Sequence, residues 1–503
     1  MWMDSSLRWG THINEICEKS YKLLNILKVL AGSSWGVHPI HLRKLYISLI
    51  RSRIDYASFL YATGAKTHLN KLNIVQNKAL RICGSFIKST PIHVMETELA
   101  LPPLFVRRHW LGYKFWLRVA SVSNNQTMQS VVNLSSNNCN YWYSKTKPIL
   151  IDVHNSLKEE DIHRSPLLDM YSLNSWVTSI DVKSCLCLNV KDVNNAKRNI
   201  NGSVLKCLTT YMLKTDYEEF HKIYTDGSKD SRGVGAALFD SKFGKTMFWK
   251  LNKNICIMRA ELIAITKALA YAVTLNIQKI VILTDSKSAL HHLARCVSGT
   301  RGMPIAYEVL KLVCILQQRN VAVKLQWIPS HIGVPGNETV DQAAKQAIED
   351  GTEIVCNPYA NEFIGRIKSD CVTKWRNHFE NCSGSKGIWY KTIQQMPSLI
   401  PWFQTTSLSR PYLVIAFRMR SGHVPLNKFY HLIGMKQSPN CMYCDKVEDL
   451  LHLLVECGRN CNLKQRILGD MPLYNGNVNV ILSQPGSRNA RRLYLWVKVS
   501  LTD

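Results

Sequence analysis

The stretch Tyr224-Thr225-Asp226-Gly227-Ser228 joins the end of a short strand-like run, 221–225, to an acidic residue and a glycine. The run 221–225 is the first of three short segments that have the composition of strands, and 233–239 and 245–251 follow it. Three strands in succession, without a helix between them, predict an antiparallel meander.

The pattern then changes to an alternation of helices and strands. An amphipathic helix is predicted at 258–273, because Met258, Leu262, Ile265 and Leu269 recur at helical spacing. Strands are predicted at 279–284 and 321–327, and further helices at 286–294, 304–317 and 335–348. Residues 219–350 therefore predict an α/β fold with a mixed five-stranded sheet and flanking helices.

Four acidic residues occupy positions in this segment where a ligand site would form. Asp226 and Asp285 are expected at strand ends, and Glu261 and Asp341 in the first turns of helices. Singly, such residues are commonly turn, cap or helix-surface residues. Together, four converging carboxylates would repel one another without a cation, and oxygen-rich sites suit Mg²⁺. We therefore predict a metal site.

The sequence around these acids resembles type 1 ribonuclease H. The resemblance is carried by the following motifs, in the order of that family: Tyr-Thr-Asp226-Gly-Ser, Arg-Ala-Glu261-Leu, Thr-Asp285-Ser, and Pro-Ser-His331-x-Gly-x-x-Gly-Asn337-Glu-x-x-Asp341. It implies that the four carboxylates hold two Mg²⁺ ions about 3.5–4 Å apart. One ion would lower the pKa of an attacking water, and the other would stabilise the departing 3′ oxygen. The RNA strand of an RNA–DNA hybrid would be cut to leave 5′-phosphate and 3′-hydroxyl ends.

The same resemblance assigns roles to four other residues. His331, in a glycine-bracketed loop, would transfer protons or help to release product. Asn337 would order that loop or contact the substrate. Gly227, with Ser228, would bind the substrate and allow the RNA strand to approach the backbone, where 2′-hydroxyls distinguish RNA from DNA.

The charge balance favours a polyanionic partner. The 503 residues contain 63 Lys and Arg against 36 Asp and Glu, a formal net charge of +27. No long uncharged apolar run and no basic amphipathic anchor is evident, so nucleic acid is favoured over a membrane. Residues 221–350 have 17 Lys and Arg against 10 Asp and Glu, so the flanking regions are expected to supply affinity.

A second candidate metal site lies near the C-terminus. Cys441-x2-Cys444-x7-His452-x4-Cys457 supplies three thiolates and one imidazole, a set that suits structural Zn²⁺. The alternative is scattered buried cysteines with His452 at the surface. Cys461 is a spare thiol or an alternative ligand.

The flanking regions resemble the C-terminal part of non-LTR retrotransposon reverse transcriptase polyproteins. The motifs include Gln76-Asn77-Lys-Ala-Leu80-Arg81, Leu101-Pro-Pro103-Leu and Arg418-x-Arg420-Ser-Gly422-His423. The predicted organisation is a basic helical region at 1–120 that resembles the post-palm segment, a connector at 121–215, the ribonuclease H domain at 219–350, and a helical region with a zinc-knuckle-like cluster at 351–503. No Tyr-x-Asp-Asp motif occurs, so polymerase activity is not expected.

The sequence thus predicts a Mg²⁺-dependent endoribonuclease that acts on RNA–DNA hybrids. The alternative is a nucleic-acid-binding transposon relic that no longer turns over, and a zinc-linked interaction scaffold is a third reading. No protein partner is predicted. An intracellular location is expected, because the cysteines are dispersed and no signal peptide is evident.

Overall fold

The computed structural model describes residues 2, 8–122, 124–136, 146–158, 182–190, 201–296 and 302–501. It divides into two compact units. The helical unit comprises Met1–Trp116, Thr127–Leu157 and Gly365–Asp503, and the α/β unit comprises Leu117–Gln126 and Lys158–Ile364.

The described part of the first 157 residues contains helices and no strand. Apolar residues at helical spacing bury one face of the first helix, where Ile13, Leu24 and Leu27 are among the core residues. The α-helices are α1 Gly10–Leu30, α2 Pro39–Leu45, α3 Ser52–Asp55, α4 Lys66–Gly84, α5 Ile92–Glu98, α6 Leu104–Ala120, α7 Gln126–Ser135 and α8 Ile149–Leu157, and a π-helical turn, Tyr46–Arg51, joins α2 to α3. The predicted helical character of this region is confirmed.

The α/β unit is built on one mixed sheet. Its elements are α9 Val182–Cys185, β1 Leu186–Cys187, α10 Gly202–Thr215, β2 His221–Lys229, β3 Val234–Asp240, β4 Lys245–Leu251, α11 Ile257–Thr274, β5 Lys279–Thr284, α12 Lys287–Cys296, α13 Pro304–Gln318, β6 Ala322–Trp327, α14 Pro335–Asp350 and β7 Thr352–Glu353. The strand order is β1-β6-β5-β2-β3-β4-β7. β2, β3 and β4 form the antiparallel meander, and β5 and β6 add parallel to β2.

The predicted mixed sheet with flanking helices is confirmed, with two corrections. The sheet has seven strands in the described residues, because the two-residue strands β1 and β7 extend its edges and are too short to leave a sequence pattern. Asp226 lies inside β2 and not at its end. The antiparallel pairing with β3 continues to Lys229, whereas the parallel partner β5 stops at Thr284.

The C-terminal part is again helical. Its α-helices are α15 Ile364–Ser383, α16 Ile388–Ile393, α17 Arg410–Ser421, α18 Asn427–Leu432, α19 Cys461–Leu468, α20 Asn475–Ser483 and α21 Arg488–Ser500. Between α18 and α19, an antiparallel bridge pairs Asn440 with Val447, and a π-helical turn covers His452–Glu456.

The helical unit joins segments that are far apart in the sequence. Arg410 at the start of α17 is buried, and its guanidinium donates to the carbonyl oxygens of Ala31, just after α1, and of Ile82 and Cys83, at the end of α4. The side chains of Phe403 and Phe417 belong to the same core as the N-terminal helices. The sequence predicts 1–120 and 351–503 as separate regions, so their association in one core was not expected.

Part of the predicted connector is also folded. Helices α8 and α10 and strand β1 fall within 121–215, and the two helices bury apolar side chains. Residues 137–145, 159–181 and 191–200 of that segment lie outside the described residues. The sequence did not predict these elements, because the apolar runs within 121–215 are short and separated by polar residues. Such runs are too short to show the spacing of a helix or a strand.

Two findings concern the described chain as a whole. None of its helices combines the length and the apolar character that a membrane span requires. The fifteen cysteines in the described residues are all free thiols. The compartment in which the protein works stays a prediction.

Candidate functional site

The sheet register places two of the predicted acids side by side. Thr225 of β2 is the parallel partner of Thr284 of β5. The next residues are Asp226 and Asp285, and they stand on neighbouring strands just beyond the last parallel pair. This is the carboxyl edge of the parallel part of the sheet, where ligands of open α/β sheets collect.

Glu261 reaches the same place from helix α11. The helix begins at Ile257, and its first turns pass close to β2 at Gly227. A Cβ atom at Gly227 would lie 2.7 Å from the backbone nitrogen of Glu261 and 2.9 Å from the carbonyl carbon of Ala260. Only glycine leaves room for this approach. Carboxylate oxygens of Asp226, Glu261 and Asp285 lie within 4.8 Å of one another.

Burial and mutual repulsion make this cluster reluctant to ionise. Burial, followed by the charges of Asp285 and Asp341, raises the pKa of Asp226 to about 7. Burial, followed by the charges of Asp226 and Asp285, holds the pKa of Glu261 well above its usual range. Oε2 of Glu261 is buried and has no hydrogen-bond partner in the part of the chain that the structure describes.

A divalent cation would suit this cluster on three counts. It would offset the repulsion, it would satisfy the buried oxygen of Glu261, and hard cations prefer carboxylate ligands. The donor set therefore fits a divalent metal ion.

Asp341 belongs to an adjacent group. Its carboxylate oxygen lies within 4.8 Å of ligand atoms of His331 and Glu338, and it accepts a 2.5 Å hydrogen bond from Lys345 one turn further along α14. Its charge nevertheless contributes to the raised pKa of Asp226. The structure brings three of the four predicted acids together and leaves the fourth next to them. Lys345 and Glu338 were given no role by the sequence analysis.

The loop before α14 carries the predicted histidine. His331 is exposed and has a left-handed backbone, with φ of 54°. The side chain of Glu338 accepts a 3.1 Å hydrogen bond from the backbone N–H of Gly333 and so fastens the loop to α14. Asn337 is buried, and none of the described residues hydrogen-bonds to its Oδ1. The predicted roles of His331 and Asn337 in catalysis and substrate binding stay predictions.

The predicted substrate residues on β2 lie beside the acids. Gly227 pairs with Ala236, and Ser228 pairs with Gly235 and is half-buried. The missing side chain of Gly227 makes room for α11, a reason that the sequence analysis did not consider. Contact of either residue with a nucleic acid stays a prediction.

A buried clamp that the sequence analysis missed fixes the start of α11. Arg259 forms a 2.7 Å ion pair with Glu362, and both side chains are almost fully buried. The guanidinium also lies 3.7 Å from the ring centroid of Tyr359. The other Glu362 oxygen accepts from the backbone N–H of Cys256, which precedes the helix. Glu362 lies beyond the predicted end of the domain, and no local pattern links it to Arg259.

The four predicted zinc ligands converge in the helical unit. Ligand atoms of Cys441, Cys444, His452 and Cys457 lie within 4.8 Å of one another, and Cys444 Sγ is 3.2 Å from His452 Nε2. Burial opposes ionisation of Cys441, but hydrogen bonds from the backbone N–H of Tyr443 and from His452 outweigh it and lower the pKa of this thiol to about 7. Three sulfurs and one imidazole suit a tetrahedral metal ion. Cys461 is outside this group.

Comparison with known proteins matches the α/β unit to one family. Residues 218–349 match the family model for RNase H. The chain is also similar to human Ribonuclease H1, with 29% identity over 146 residues that cover 25% of this chain and 50% of that protein. The chain thus spans about half the length of the curated relative that it matches. The predicted ribonuclease H domain is confirmed at residues 218–349, and all the predicted acids lie within it.

Proposed function

We propose that the α/β unit is a metal-dependent endoribonuclease that cleaves the RNA strand of RNA–DNA hybrids. The observation that carries this proposal is the convergence of Asp226, Glu261 and Asp285, two of them buried, at the carboxyl edge of the sheet. The match of residues 218–349 to the RNase H family supports the substrate class.

The metal ions would be two Mg²⁺ held by Asp226, Glu261, Asp285 and Asp341. When bound, they would supply an activated water and neutralise charge at the scissile phosphate. Asp341 would join the ligand set by releasing Lys345, whose side chain is exposed, so that breaking this ion pair costs little. Lys345 would then be available to a substrate phosphate.

The remaining site residues would bind and orient the substrate. His331 would accept or donate a proton at the exposed side of the cluster, because its ring stands in the group with Asp341. Asn337 and Ser228 would contact the hybrid beside the acids. The backbone at Gly227 would lie close to the RNA strand, where the 2′-hydroxyl is read.

A cleavage assay tests this proposal. The full chain is incubated with Mg²⁺ and a labelled RNA–DNA hybrid, beside single-stranded and duplex RNA. We expect selective cutting of the hybrid, and we expect Asp226→Asn to lower the rate by a factor on the order of a thousand while hybrid binding is kept. Asp350→Asn, which makes the same change at an exposed position at the end of α14, should cleave normally. Unchanged turnover in Asp226→Asn would refute the metal assignment, and a folded, hybrid-binding native chain without cleavage would identify a binding relic.

We also propose that Cys441, Cys444, His452 and Cys457 bind a structural Zn²⁺. The observation that carries this is the convergence of four ligand atoms with a thiol of lowered pKa among them. Glu456 Oε2 lies 3.5 Å from His452 Nδ1 and would orient the imidazole, as second partners of zinc-bound histidines do.

The chain offers a matched pair of variants for this second site. Elemental analysis should find about one zinc per native chain, less than a tenth of that in Cys444→Ser, and the native amount in Cys461→Ser. Equal zinc in the two variants would remove Cys444 from the site.

We further propose that the chain derives from a non-LTR retrotransposon polyprotein. The flanking motifs carry this proposal, and they lie outside the segment that matches RNase H. In that setting the basic helical region would bind nucleic acid and raise the affinity of the α/β unit for hybrid.

A further inference from the structure

A pocket of about 590 Å³ with both polar and apolar lining side chains opens on the helical unit, outside both candidate metal sites. Helices α4 and α5, the segment between them and the start of α6 form one part of its lining. The end of α15 and the residues just after it form the other part. We call it the amide pocket, because Asn70, Asn73 and Asn77 form a stripe along the α4 side of it. Its volume falls in the range of small-ligand sites.

Four buried polar side chains that line the amide pocket have an atom without a hydrogen-bond partner among the described residues. These atoms are Thr90 Oγ1, His93 Nε2, Glu96 Oε2 and Arg108 Nη1, and each residue is more than nine-tenths buried. Buried polar groups in folded proteins are nearly always paired, so four in one pocket indicate a bound polar molecule. Water alone would satisfy them, but water does not account for the other two features of the pocket.

The first of these features is positive charge. Arg81, Lys88 and Lys386 line the pocket together with Arg108. The lining carboxyl group is that of Glu96, and burial raises its pKa to about 8, so it is mainly protonated at neutral pH and acts as a donor. Thr90, Glu96 and Arg108 can then each donate a hydrogen bond at the unpaired atom, whereas His93 Nε2 donates or accepts according to the tautomer of the ring. The ligand should be an anion rich in acceptors.

The second feature is the combination of amides with aromatic surface. Asn side chains offer both donors and acceptors, which is what recognition of a base edge requires. Phe105 lines the pocket, is 38% exposed and meets His378 edge-on at 5.2 Å between ring centroids. Exposed aromatic rings provide faces on which unpaired bases stack.

We propose that the amide pocket binds one unpaired nucleotide of a single-stranded nucleic acid. The base would lie between the amide stripe and Phe105, and the flanking phosphates would contact Arg81, Lys88 and Lys386. An acidic peptide would satisfy the cations, but it would leave the amide stripe and the aromatic face without a role. This inference does not depend on the nuclease activity of the α/β unit.

The test uses the full chain and a fluorescein-labelled oligothymidylate of DNA, which the proposed nuclease does not cut. Fluorescence anisotropy compares Lys88→Glu/Lys386→Glu with Lys22→Glu/Lys28→Glu, a pair of exposed lysines on α1 that gives the same change of net charge. We expect the pocket variant to bind at least about tenfold more weakly than this control at moderate salt. We expect Asn73→Leu to bind about threefold more weakly with an unchanged salt dependence, because it removes an amide and no charge.

Cys382 reports directly on occupancy. It is half-buried and lines the amide pocket, and its sulfur lies 3.7 Å from His378 Nε2. Alkylation of Cys382, followed by peptide mass spectrometry, should slow when the oligonucleotide is present. At an oligonucleotide concentration near the native Kd, this protection should be weaker in Asn73→Leu than in the native chain.

Three results would overturn the proposal. The first is equal affinity of the two lysine variants. The second is equal protection of Cys382 by an oligoglutamate peptide of the same charge. The third is protection by thymidine monophosphate without protection by the strand, which would assign the pocket to a free nucleotide.

Discussion

Asp226 is the residue whose protonation links the candidate site to pH. Its pKa in the folded protein is about 7, against 3.8 for an ordinary aspartate. Between these values the folded state binds a proton that the unfolded chain has released, so the metal-free protein loses stability as pH rises through this window. Above pH 7 the folded protein keeps a buried, repulsive anion unless a cation neutralises it.

The prediction is that the melting temperature of the metal-free α/β unit falls from pH 5 to pH 8 and that Mg²⁺ restores it at pH 8. Asp226→Asn should weaken the pH dependence, because its amide does not titrate while Glu261 still does, whereas Asp350→Asn should leave the dependence unchanged. Differential scanning calorimetry with and without Mg²⁺ measures both effects. A native melting temperature that rises over this range without metal would contradict the assignment.

Glu362 illustrates a residue that acts on the site from a distance. Its carboxylate neutralises the buried Arg259 and holds the backbone N–H groups of Cys256 and Tyr359. We expect Glu362→Ala to destabilise the α/β unit by about 3–5 kcal/mol, because it leaves a buried guanidinium without its partner. Glu349→Ala, which removes an exposed ion pair with Arg232, should cost less than about 1 kcal/mol. Hydrogen exchange of peptides from α11 measures the difference, and equal protection in the two variants would rule out the clamp.

At the scale of elements, the approach of α11 to β2 sets the geometry of the acids. Gly227→Ala would place a methyl group 2.7 Å from the backbone nitrogen of Glu261, so the helix would have to move away from the strand. Since Glu261 moves with the helix, we expect cleavage to fall about tenfold or more with modest loss of stability. Gly202→Ala is the matched control, because a Cβ atom there meets nothing within 4 Å. A normal cleavage rate in Gly227→Ala would show that the site tolerates displacement of α11.

The elements also show how far the sequence could predict the structure. The strands β2 to β6 and the helices α11 to α14 could be predicted from the sequence. Their apolar residues recur with the period of a strand or a helix, and that period changes at glycines and polar turns. The proximity of Asp226 and Asp285 was predicted correctly, because both were expected at the ends of strands. The structure differs in that β2 continues past Asp226 to Lys229. The edge strands β1 and β7 could not be predicted, because a strand of two residues is too short to show an alternation of apolar and polar side chains. Arg259 was visible in its motif, but its partner Glu362 is 103 residues away, and only tertiary structure brings such residues together.

At the scale of the whole molecule, the helical unit is assembled from both ends of the described chain around one buried carboxylate. Glu98 on α5 accepts hydrogen bonds from Arg420 Nε at 2.7 Å, Trp402 Nε1 at 2.7 Å and the Tyr390 hydroxyl at 2.6 Å. Arg420 and Glu98 are fully enclosed, so neither charge has access to water. The segment that matches RNase H, at 218–349, lies between the N-terminal and C-terminal helices in the sequence. It contributes no residue to the core that those helices share.

This arrangement predicts that the N-terminal and C-terminal helices unfold together. Glu98→Ala would leave Arg420 buried without a partner, and the resulting loss should be about 3–5 kcal/mol. Hydrogen exchange should therefore accelerate to the same extent in peptides from α5 and from α17, more than 300 residues apart. Glu15→Ala, which removes the exposed pair with Lys19 on α1, should leave both peptides unchanged. Faster exchange in α5 alone would mean that the two ends fold independently, and the helical unit would then be two domains in contact.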